Sequence, residues 1–599
     1  MLLLEAGGTT LDGPMTEQSV PAGATDNVGF ENVDWKYRVE QQKTALAGAS
    51  GKTFGGGFRE RGRSFPIPRG KVLGGSNELN YMLHVRGTAG DYESWEAATG
   101  DARWGAASMA AAEHYYEERV EFASKAAPKD GSAPHASKLA DAWVAAAGQS
   151  EFGNTSSYND GPRLGGFHFE HAVRRGVRQS TARQFLLPLL RQGAPNLDVV
   201  VGAYVNRVLL DDGASPPRAT GVDVSFRECM LPSVSVPVLG QLLPSRPCLL
   251  GSRQATRREF TKAPGYRREV FGIRVSARKE VIVSAGAYES PHLLLRSGVG
   301  PSSQLRAANV RQYVELPAVG KHLQDHPIIG LKYRLGPVGG AWLPTSITKL
   351  WLAFPAVLWS YLTSGKGVLA SSGCDIGYFG MSNLSFARRP DIQMHGMLTA
   401  GDPGFFANFL NYDTPFTSQL GEPSDYSSLW AQGLVVAPTL LHAAAEGSVT
   451  LDHRNADGSG PPVIQYEAFG HDEDVLRLTK GIRQMQTIMA QPAMAAHDPT
   501  LLHIADLAAE FGRDSDEYWA QYIKRFGFVV YHPAGTCRMG RAGEPSAVVD
   551  SSLRVLGVEQ LRVADASIMP DITSGNTQVP TAAIGVQMVA ILRERYALI

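Results

Sequence analysis

The alternation of apolar runs with glycine-rich turns predicts a chain that mixes strands and helices. The opening LLLEAGG is typical of a short buried strand that ends at Glu5 and a glycine turn. The stretch VIVSAGAYESPHLLL, beginning at Val281, predicts a strand, a turn and an apolar helix that starts at Ser290. This order of elements is the one expected in a parallel sheet of an α/β domain.

The middle of the chain has a different pattern. PDIQMHGML, from Pro390, and GSVTLDHRN, from Gly447, alternate between apolar and polar residues, as the strands of an antiparallel sheet do. HDEDVLRLTKGIRQMQTIM, at residues 471–489, places apolar residues at helical spacing and predicts an amphipathic helix. We therefore expect a second, α+β unit built on an antiparallel sheet.

Two further stretches stand out by their composition. The most apolar run, LWLAFPAVLWSYL at residues 350–362, contains Pro355 and is shorter than the roughly 20 residues that span a bilayer. It predicts a buried or channel-lining helix in preference to a helix that contacts a membrane, and no transmembrane segment. Residues 227–275 are rich in Pro, Arg and Leu and interrupt what should be a short hairpin, so we expect a partly disordered surface loop.

Composition and charge exclude some classes of partner. With 57 Lys and Arg against 58 Asp and Glu, the net charge is -1, and no basic stripe favours nucleic acid. Four scattered cysteines predict neither a zinc site nor a disulfide framework. The 43% apolar content and an opening without a basic leader favour a soluble globular protein, with no compartment assigned and any N-terminal targeting segment expected to be missing.

Three stretches carry candidate chemistry. YHPAGTCRMG places His532 in a turn before a proline, and VADASIMPDITSGNTQVPT places Asn576 in a Ser-Gly-Asn-Thr segment. In PRGKVLGGSNELN, Gly74 and Gly75 allow the backbone to pass close to a flat ligand, and Asn80 offers a polar group beside it. Taken alone, each motif is also compatible with an ordinary turn or cap.

Together, five motifs in order resemble the glucose–methanol–choline (GMC) flavoprotein oxidoreductases, and most of all their choline dehydrogenase-like branch. They are the three stretches above, GAYESPHLLLRSGVG and LPAVGKHLQDHP. Asn77 and His84 depart from the first family signature, where a small residue and an aromatic residue or alanine are usual. The resemblance covers nearly the whole chain.

The resemblance implies an α/β fold with an FAD-binding Rossmann-like (GMC/p-hydroxybenzoate hydroxylase-like) domain at residues 1–330. A substrate-binding domain is expected at residues 331–520, and residues 521–599 would return to the FAD-binding domain. In such domains, the glycine-rich phosphate turn lies about 20 residues before the acid that binds the ribose, which Glu5 matches here. Since no GxGxxG lies between a strand and a helix here, we expect a domain that lacks its first βα unit.

The resemblance also assigns FAD contacts residue by residue. Glu5 matches the acid that binds the adenosine ribose, and Val205 matches the valine that meets the adenine. The residues that match contacts to the flavin, its ribityl chain or the pyrophosphate are Gly74, Gly75, Asn80, Asp565, Ala566, Thr577, Gln578 and Pro580. Leu79 stands where some relatives bond a histidine to the flavin, so non-covalent FAD is expected.

His532 matches the catalytic histidine of the family, and Asn576 matches a second position that is His or Asn. Oxidising an alcohol requires removal of a proton as well as a hydride, and a neutral imidazole suits the first task. His532 is therefore the expected general base, and Asn576 a donor to the developing alkoxide. The expected partner is a small alcohol, with oxygen, a quinone or another carrier as electron acceptor.

Two alternatives remain open. GVLASSGCDIGYFG places Cys374 where the related fatty acid photodecarboxylases have their cysteine, although His395 replaces their arginine and His532 is absent from them. The other alternative is an inactive relative that cannot hold FAD without the phosphate turn. Choline itself would need an aromatic cage and a carboxylate, and the sequence places neither.

Overall fold

The structure is a computed structural model of the 599-residue chain. It describes residues 1–9, 33–40, 64–120, 138–226, 256–257, 271–336, 347–384, 389–397, 433–455 and 458–597.

Parallel strand pairs form the α/β part of the molecule. Leu2–Leu4 pairs with Asp198–Val200, Val281–Val283 with Leu561–Val563, and Val299–Gly300 with Val314–Glu315. The predicted strands at LLLEAGG and VIVSAG are confirmed. The missing first βα unit stays a prediction.

An antiparallel sheet forms the second layer. It has eight strands in the described part of the chain. Its main path runs in the order Thr500–Leu501, Leu331–Arg334, Gly433–Leu440, Ile392–Met397, Ile376–Gly380 and Gly165–His168. The remaining strands, Pro327–Ile328 and Phe528–Val529, pair with each other, and the first of them also pairs with Gly433–Leu440. The sheet thus includes strands on both sides of the range 331–520, and the domain bounds themselves stay a prediction.

A separate antiparallel sheet contains Ala203–Asp211, Arg218–Phe226, Phe271–Ser276 and Thr256–Arg257. Phe226 lies opposite Phe271, so the predicted hairpin is present around the insertion. Apart from residues 256–257 and 271–275, the predicted loop at 227–275 lies outside the described residues.

Helices cover the sheets. The α-helices are Ala89–Thr99, Ala106–Arg119, Lys138–Gln149, Leu187–Arg191, Gly286–Arg296, Ser302–Ala307, Ile347–Ser364, Asp472–Met489, Pro492–Ala495, Ala505–Phe511, Asp516–Phe526 and Gln578–Tyr596. Shorter helical turns are Gly75–Glu78, Ala102–Trp104, Ala182–Leu186, Val368–Ala370 and Ala566–Ile568. The amphipathic helix predicted at residues 471–489 is confirmed, and its apolar face packs into the core beneath the large sheet.

Three predictions need correction. The helix expected from Ser290 begins at Gly286, whose backbone N–H donates to Asp565 at 2.9 Å, and Ser290 lies inside it, where its Oγ accepts the backbone N–H of Ala285 at 3.0 Å. GSVTLDHRN forms a strand, Ser448–Thr450, but it pairs with Val463–Gln465 outside the large sheet.

The third correction concerns the apolar run at residues 350–362. It does form a helix, Ile347–Ser364, but the side chains of Trp359 and Leu362 are 71% and 58% exposed. It is therefore not a buried or channel-lining helix along its C-terminal half. None of the described helices is both long and apolar enough to cross a bilayer.

Candidate active site

A cavity of about 460 Å³ is lined by residues of both layers. The residues of the predicted site that line it are Gly74, Gly75, Asn80, His532, Asp565, Ala566, Asn576, Thr577 and Gln578. The structure thus brings together residues from three motifs that are far apart in sequence.

Glu5, Val205 and Pro580 do not line this cavity. Glu5 lies at the end of its strand, where its Oε1 accepts the backbone N–H of Gly7 at 2.7 Å and burial raises the pKa of its carboxyl. Val205 packs in the same small apolar cluster as Leu4, so the two strands that carry the predicted adenosine contacts adjoin each other. Pro580 is buried in the first turn of the helix Gln578–Tyr596.

His532 and Asn576 face each other, with 3.3 Å between His532 Nε2 and Asn576 Nδ2. His532 follows the strand Phe528–Val529 after a residue, Tyr531, whose φ of 67° turns the chain sharply. Asn576 lies two residues before the helix Gln578–Tyr596. The catalytic pair expected from the motifs is therefore close enough to act on one atom.

Gln393 fixes the orientation of the Asn576 amide. Its Nε2 donates to Asn576 Oδ1 at 3.0 Å, which leaves the Asn576 N–H groups to face His532. Because Asn576 then donates to His532 Nε2, this ring nitrogen carries a lone pair and no proton. The imidazole proton of His532 must lie on Nδ1.

His326 is the partner of that proton. The Nδ1 atoms of His326 and His532 are 3.0 Å apart, so His532 Nδ1–H donates to His326 Nδ1. Asp325 Oδ1 holds both rings by accepting the backbone N–H of His326 at 2.7 Å and of His532 at 2.8 Å. The arrangement sets one tautomer of His532, the one in which Nε2 can accept a proton.

The local electrostatics keep these rings neutral. Burial, followed by the neighbouring histidines and Arg69, lowers the pKa of His532 well below 6.5. Burial likewise lowers the pKa of His326 to about 3 and that of His395 to about 4. Burial raises the pKa of Asp325 to about 7. Within the described residues, no group of these side chains has the arrangement of a metal site.

A buried polar network anchors the loop that carries Asn576. Ser574 donates its backbone N–H and its hydroxyl to Asp91 at 2.9 and 2.6 Å, and its carbonyl accepts Arg163 Nη1 at 2.9 Å. Asp91 also accepts Arg389 Nη1 at 2.9 Å. Although burial alone would raise the pKa of Asp91, His442, Arg389 and Ser574 lower it overall, so the carboxylate stays charged. These hydrogen bonds fix the backbone two residues before Asn576.

The glycines of the cavity fit a flat cofactor. Gly75 and Gly286 both line the cavity with left-handed φ values of 59° and 82°, and a Cβ on either would meet no protein atom within 4 Å. A side chain there would enter the open space that a ligand would take. Leu79, which also lines the cavity, offers no nucleophile for a covalent bond.

Other predicted cofactor residues form hydrogen bonds that stabilise the walls of the cavity. Asp565 lines the cavity, but its carboxylate accepts the backbone N–H of Gly286 at 2.9 Å and of Ser567 at 2.8 Å. Asn80 Nδ2 donates to Gln578 Oε1 at 2.8 Å, which ties the glycine loop to the last helix. These contacts shape the cavity through the backbone.

Asp325, His326 and Gln393 were not predicted as site residues. The first two lie in LPAVGKHLQDHP, one of the five motifs, so the sequence does carry a signal for them. Gln393 and His395 lie two residues apart on one strand and so share a face of the sheet. Nothing in the sequence shows which face turns towards the cavity.

Cys374 also lines the cavity, near the strand that carries His395. Its thiol is buried and has no disulfide partner, and burial raises its pKa, so it is a neutral thiol. His395 is neutral as well and donates no charge to the site.

Two family models match the chain, and both are described as GMC oxidoreductase. One matches residues 6–235 and 267–328, and the other matches residues 443–585. Oxygen-dependent choline dehydrogenase from Sinorhizobium fredii is 28% identical over 98% of this chain and 89% of its own length. The chloroplastic fatty acid photodecarboxylase from Chlamydomonas reinhardtii is also 28% identical, over 99% of this chain and 86% of its own length.

Solved structures share the fold. Formate oxidase from Aspergillus oryzae RIB40 superposes with a TM-score of 0.73 at 20% identity, over 100% of this chain and 94% of that chain. Pyridoxine 4-oxidase from Mesorbium loti gives a TM-score of 0.70 at 22% identity, with the same coverage. The resemblance to GMC enzymes and to their choline dehydrogenase-like members is confirmed, and FAD, usually held without a covalent bond, is their cofactor. The chain belongs to the GMC oxidoreductase family of flavoproteins.

Proposed function

We propose that this chain oxidises the CH–OH group of an alcohol with FAD as hydride acceptor and His532 as general base. The observation that carries the proposal is the 3.3 Å contact between His532 Nε2 and Asn576 Nδ2 in one cavity. In the proposed division of the chain, residues 1–330 and 521–599 bind FAD, and residues 331–520 cover the substrate.

The two side chains act on one oxygen atom. An alcohol oxygen placed between them donates its O–H to His532 Nε2 and accepts from Asn576 Nδ2. His532 takes the proton as the C–H bond breaks, and Asn576 stabilises the negative charge that develops on oxygen. Bound FAD supplies the acceptor for the hydride, and the products are a carbonyl compound and reduced cofactor.

The proton that His532 gains is accommodated by its neighbours. His532 Nδ1–H already donates to His326 Nδ1, so the ring need not rotate when Nε2 is protonated. Asp325, 2% exposed, lies beside both rings, and in its ionised form its negative charge favours the imidazolium that forms. Desolvation opposes that charge and so favours release of the proton from His532.

The lining favours an uncharged, apolar alcohol over choline. Apolar residues around the cavity include Leu83, Ile328, Met397, Val435, Ala437, Phe528 and Val530. Among the described residues that line it, the carboxylates are Glu289 and Asp565, and each is held by protein donors. Neither is free to hold an ammonium group, which choline recognition would require.

The test is a visible spectrum of the purified chain, followed by anaerobic addition of hexanol, benzyl alcohol or choline. We expect flavin absorbance that hexanol or benzyl alcohol bleaches faster than choline. Faster bleaching by choline would contradict the substrate class but keep the reaction, whereas no bleaching by any alcohol after reconstitution with FAD would contradict the reaction. A chain that stays colourless after reconstitution would favour the inactive alternative.

The same sample tests photodecarboxylation. Cys374 lines the cavity as that alternative expects, but His395 is neutral and offers no cation for a fatty carboxylate. We expect no alkane from a fatty acid under blue light. Light-dependent alkane formation would overturn the assignment in favour of a decarboxylase.

A further inference from the structure

The large sheet presents its residues to the cavity in rows that cross the strands. Ala437 lies opposite His395 in one pair of strands. In the pair on the other side of the same strand, Leu331 lies opposite Val436, so the register places Gly330 opposite Ala437. Residues that lie opposite each other in antiparallel strands share a face of the sheet. His395, Ala437 and Gly330 therefore form one row, and all three line the cavity.

Small residues make this row a groove. Gly330 has no side chain and Ala437 has a single methyl group, whereas the rows on either side contain larger residues. Neighbouring strands are about 4.8 Å apart, so the groove from His395 to Gly330 is roughly 10 Å long. We call it the Ala–Gly groove. The residues of the flanking rows, two positions away along each strand, are Ile328, Thr439 and Gln393 on one side, and Lys332, Val435 and Met397 on the other.

The walls of the Ala–Gly groove are apolar where they face the cavity. Ile328 on one side, and Val435 and Met397 on the other, line the cavity. Thr439 and Lys332, which belong to the same flanking rows, do not line it. Ile328 and Val435 are buried. An apolar chain that lay in this groove would be removed from water, which is favourable.

One end of the groove adjoins the proposed catalytic pair. Gln393, which precedes His395 by two residues on the same face, donates to Asn576 Oδ1 at 3.0 Å. Asn576 in turn contacts His532 at 3.3 Å. The His395 ring is held by stacking on Phe169, with 5.6 Å between ring centroids and 14° between ring planes. The groove therefore leads away from the space between His532 and Asn576.

We propose that the Ala–Gly groove seats the unbranched alkyl chain of a primary alcohol, which makes medium-chain linear alcohols the substrate class. This inference rests on the proposed alcohol oxidation and specifies its substrate. With the hydroxyl between His532 and Asn576, the chain passes His395 and lies over Ala437 and Gly330. Each methylene that it buries raises kcat/KM by about fourfold. A branched chain would meet the larger residues on either side of the groove.

The experiment measures the second-order rate constant of anaerobic flavin reduction with ethanol, butanol, hexanol and octanol. The constant should rise by about fourfold per methylene until the groove is filled. The branched isomer 2-ethylhexanol, which has as many carbon atoms as octanol, should react about tenfold more slowly than octanol. Equal constants for all these alcohols would refute the groove and leave the proposed oxidation standing. No reduction by any alcohol would overturn both.

Substitutions in the groove test its position. Ala437→Leu fills the groove, so the ratio of the octanol constant to the ethanol constant should fall by about tenfold or more. Ethanol is too short to reach Ala437 and serves as the reference within each variant. Gly330→Ala makes a smaller change and should lower the ratio by about fourfold. The φ of Gly330 is not in the left-handed region, so an alanine there is not strained.

A matched control adds the same side chain elsewhere. Ala495→Leu replaces an exposed alanine that does not line the cavity, and its ratio should equal that of the unchanged chain. Circular dichroism and flavin absorbance report whether each variant is folded. An unchanged ratio in folded Ala437→Leu, or an equal fall in Ala495→Leu, would overturn the proposal. If Ala437→Leu does not fold, Gly330→Ala and the comparison of octanol with its branched isomer decide.

Discussion

The two ends of the large cavity are built in different ways. At the proposed catalytic end, His532 and Asn576 are held by side chains, among them Gln393 and Asp325. Along the wall where the cofactor residues lie, Gly75 and other glycines provide space by having no side chain. One end depends on individual polar groups and the other on backbone shape. Substitutions should therefore separate into those that slow the reaction and those that weaken FAD binding.

The largest effect is expected from His532→Ala. Without the base, the alcohol proton has no acceptor, and flavin reduction should slow by about 10² to 10⁴. Stopped-flow absorbance under anaerobic conditions measures the rate, and FAD content should stay near that of the unchanged chain. His453→Ala, at an exposed histidine, is the matched control and should keep the full rate.

An unchanged reduction rate in His532→Ala would remove the histidine from the proposed mechanism. If FAD content fell together with the reduction rate, substitutions at the two ends of the cavity would not separate into effects on rate and effects on FAD binding. The two readings come from one sample, because flavin absorbance gives both content and rate.

Asn576→Ala should have the next largest effect. It removes one donor to the developing alkoxide, which typically costs about 10² in rate. It also removes the amide group that contacts His532 Nε2. The hydrogen bond from Ser574 to Asp91 remains. Asn576→His, which keeps an N–H donor, should recover part of the rate. Equal rates for both variants would show that the donor has no role in the step measured.

The motifs predicted that His532 and Asn576 lie together but not the groups that orient them. His532 and Asn576 lie 44 residues apart and could be paired from their motifs. The contact between Asp325 and the backbone of His532 spans 207 residues and depends on the pairing of Pro327–Ile328 with Phe528–Val529. Such register between distant short strands is set by tertiary packing, which local sequence does not encode.

The helix at residues 350–362 shows a second limit of the sequence. Its composition indicated burial, and the prediction of a helix there was right, but the predicted burial was wrong. Hydropathy reports which residues would gain from leaving water and does not report what is available to cover them. The hairpin formed by Val173–Arg174 and Val177–Arg178 covers Tyr361 and leaves Trp359 exposed.

At the cofactor wall, Gly75→Ala should weaken FAD binding by about tenfold, because the new Cβ enters the cavity and the positive φ is strained by roughly 1 to 2 kcal/mol. The rate of flavin reduction in the loaded fraction should stay unchanged. Gly153→Ala is a matched control, since Gly153 has a φ of 71° and a Cβ there also meets no atom within 4 Å, but it does not line the cavity. Binding titrations followed by flavin fluorescence measure the difference, and equal losses in both variants would attribute the effect to strain alone.

The smallest effect concerns pH and follows from opposite shifts of two neighbours. The pKa of Asp325 rises from 3.8 to about 7 on folding, so between these values the folded chain holds a proton that the unfolded chain has lost, and acid stabilises the fold. The pKa of His326 falls from 6.5 to about 3, so in that window acid destabilises the fold. The two contributions oppose each other over most of the range from 3.8 to 6.5.

Asp325→Asn keeps the oxygen that accepts the two backbone N–H groups and removes only the titration. Acidification should then destabilise the variant more steeply than the unchanged chain, by up to about 1.4 kcal/mol per pH unit. Urea unfolding at about pH 5 and about pH 8 measures the free energy of unfolding, and the variant should gain stability relative to the unchanged chain at the higher pH. Asp472→Asn, at a carboxylate that is 94% exposed, is the control and should show no such change. Parallel pH profiles for Asp325→Asn and the unchanged chain would mean that Asp325 titrates as an ordinary carboxyl, and the charge proposed beside His532 would then be present throughout this range.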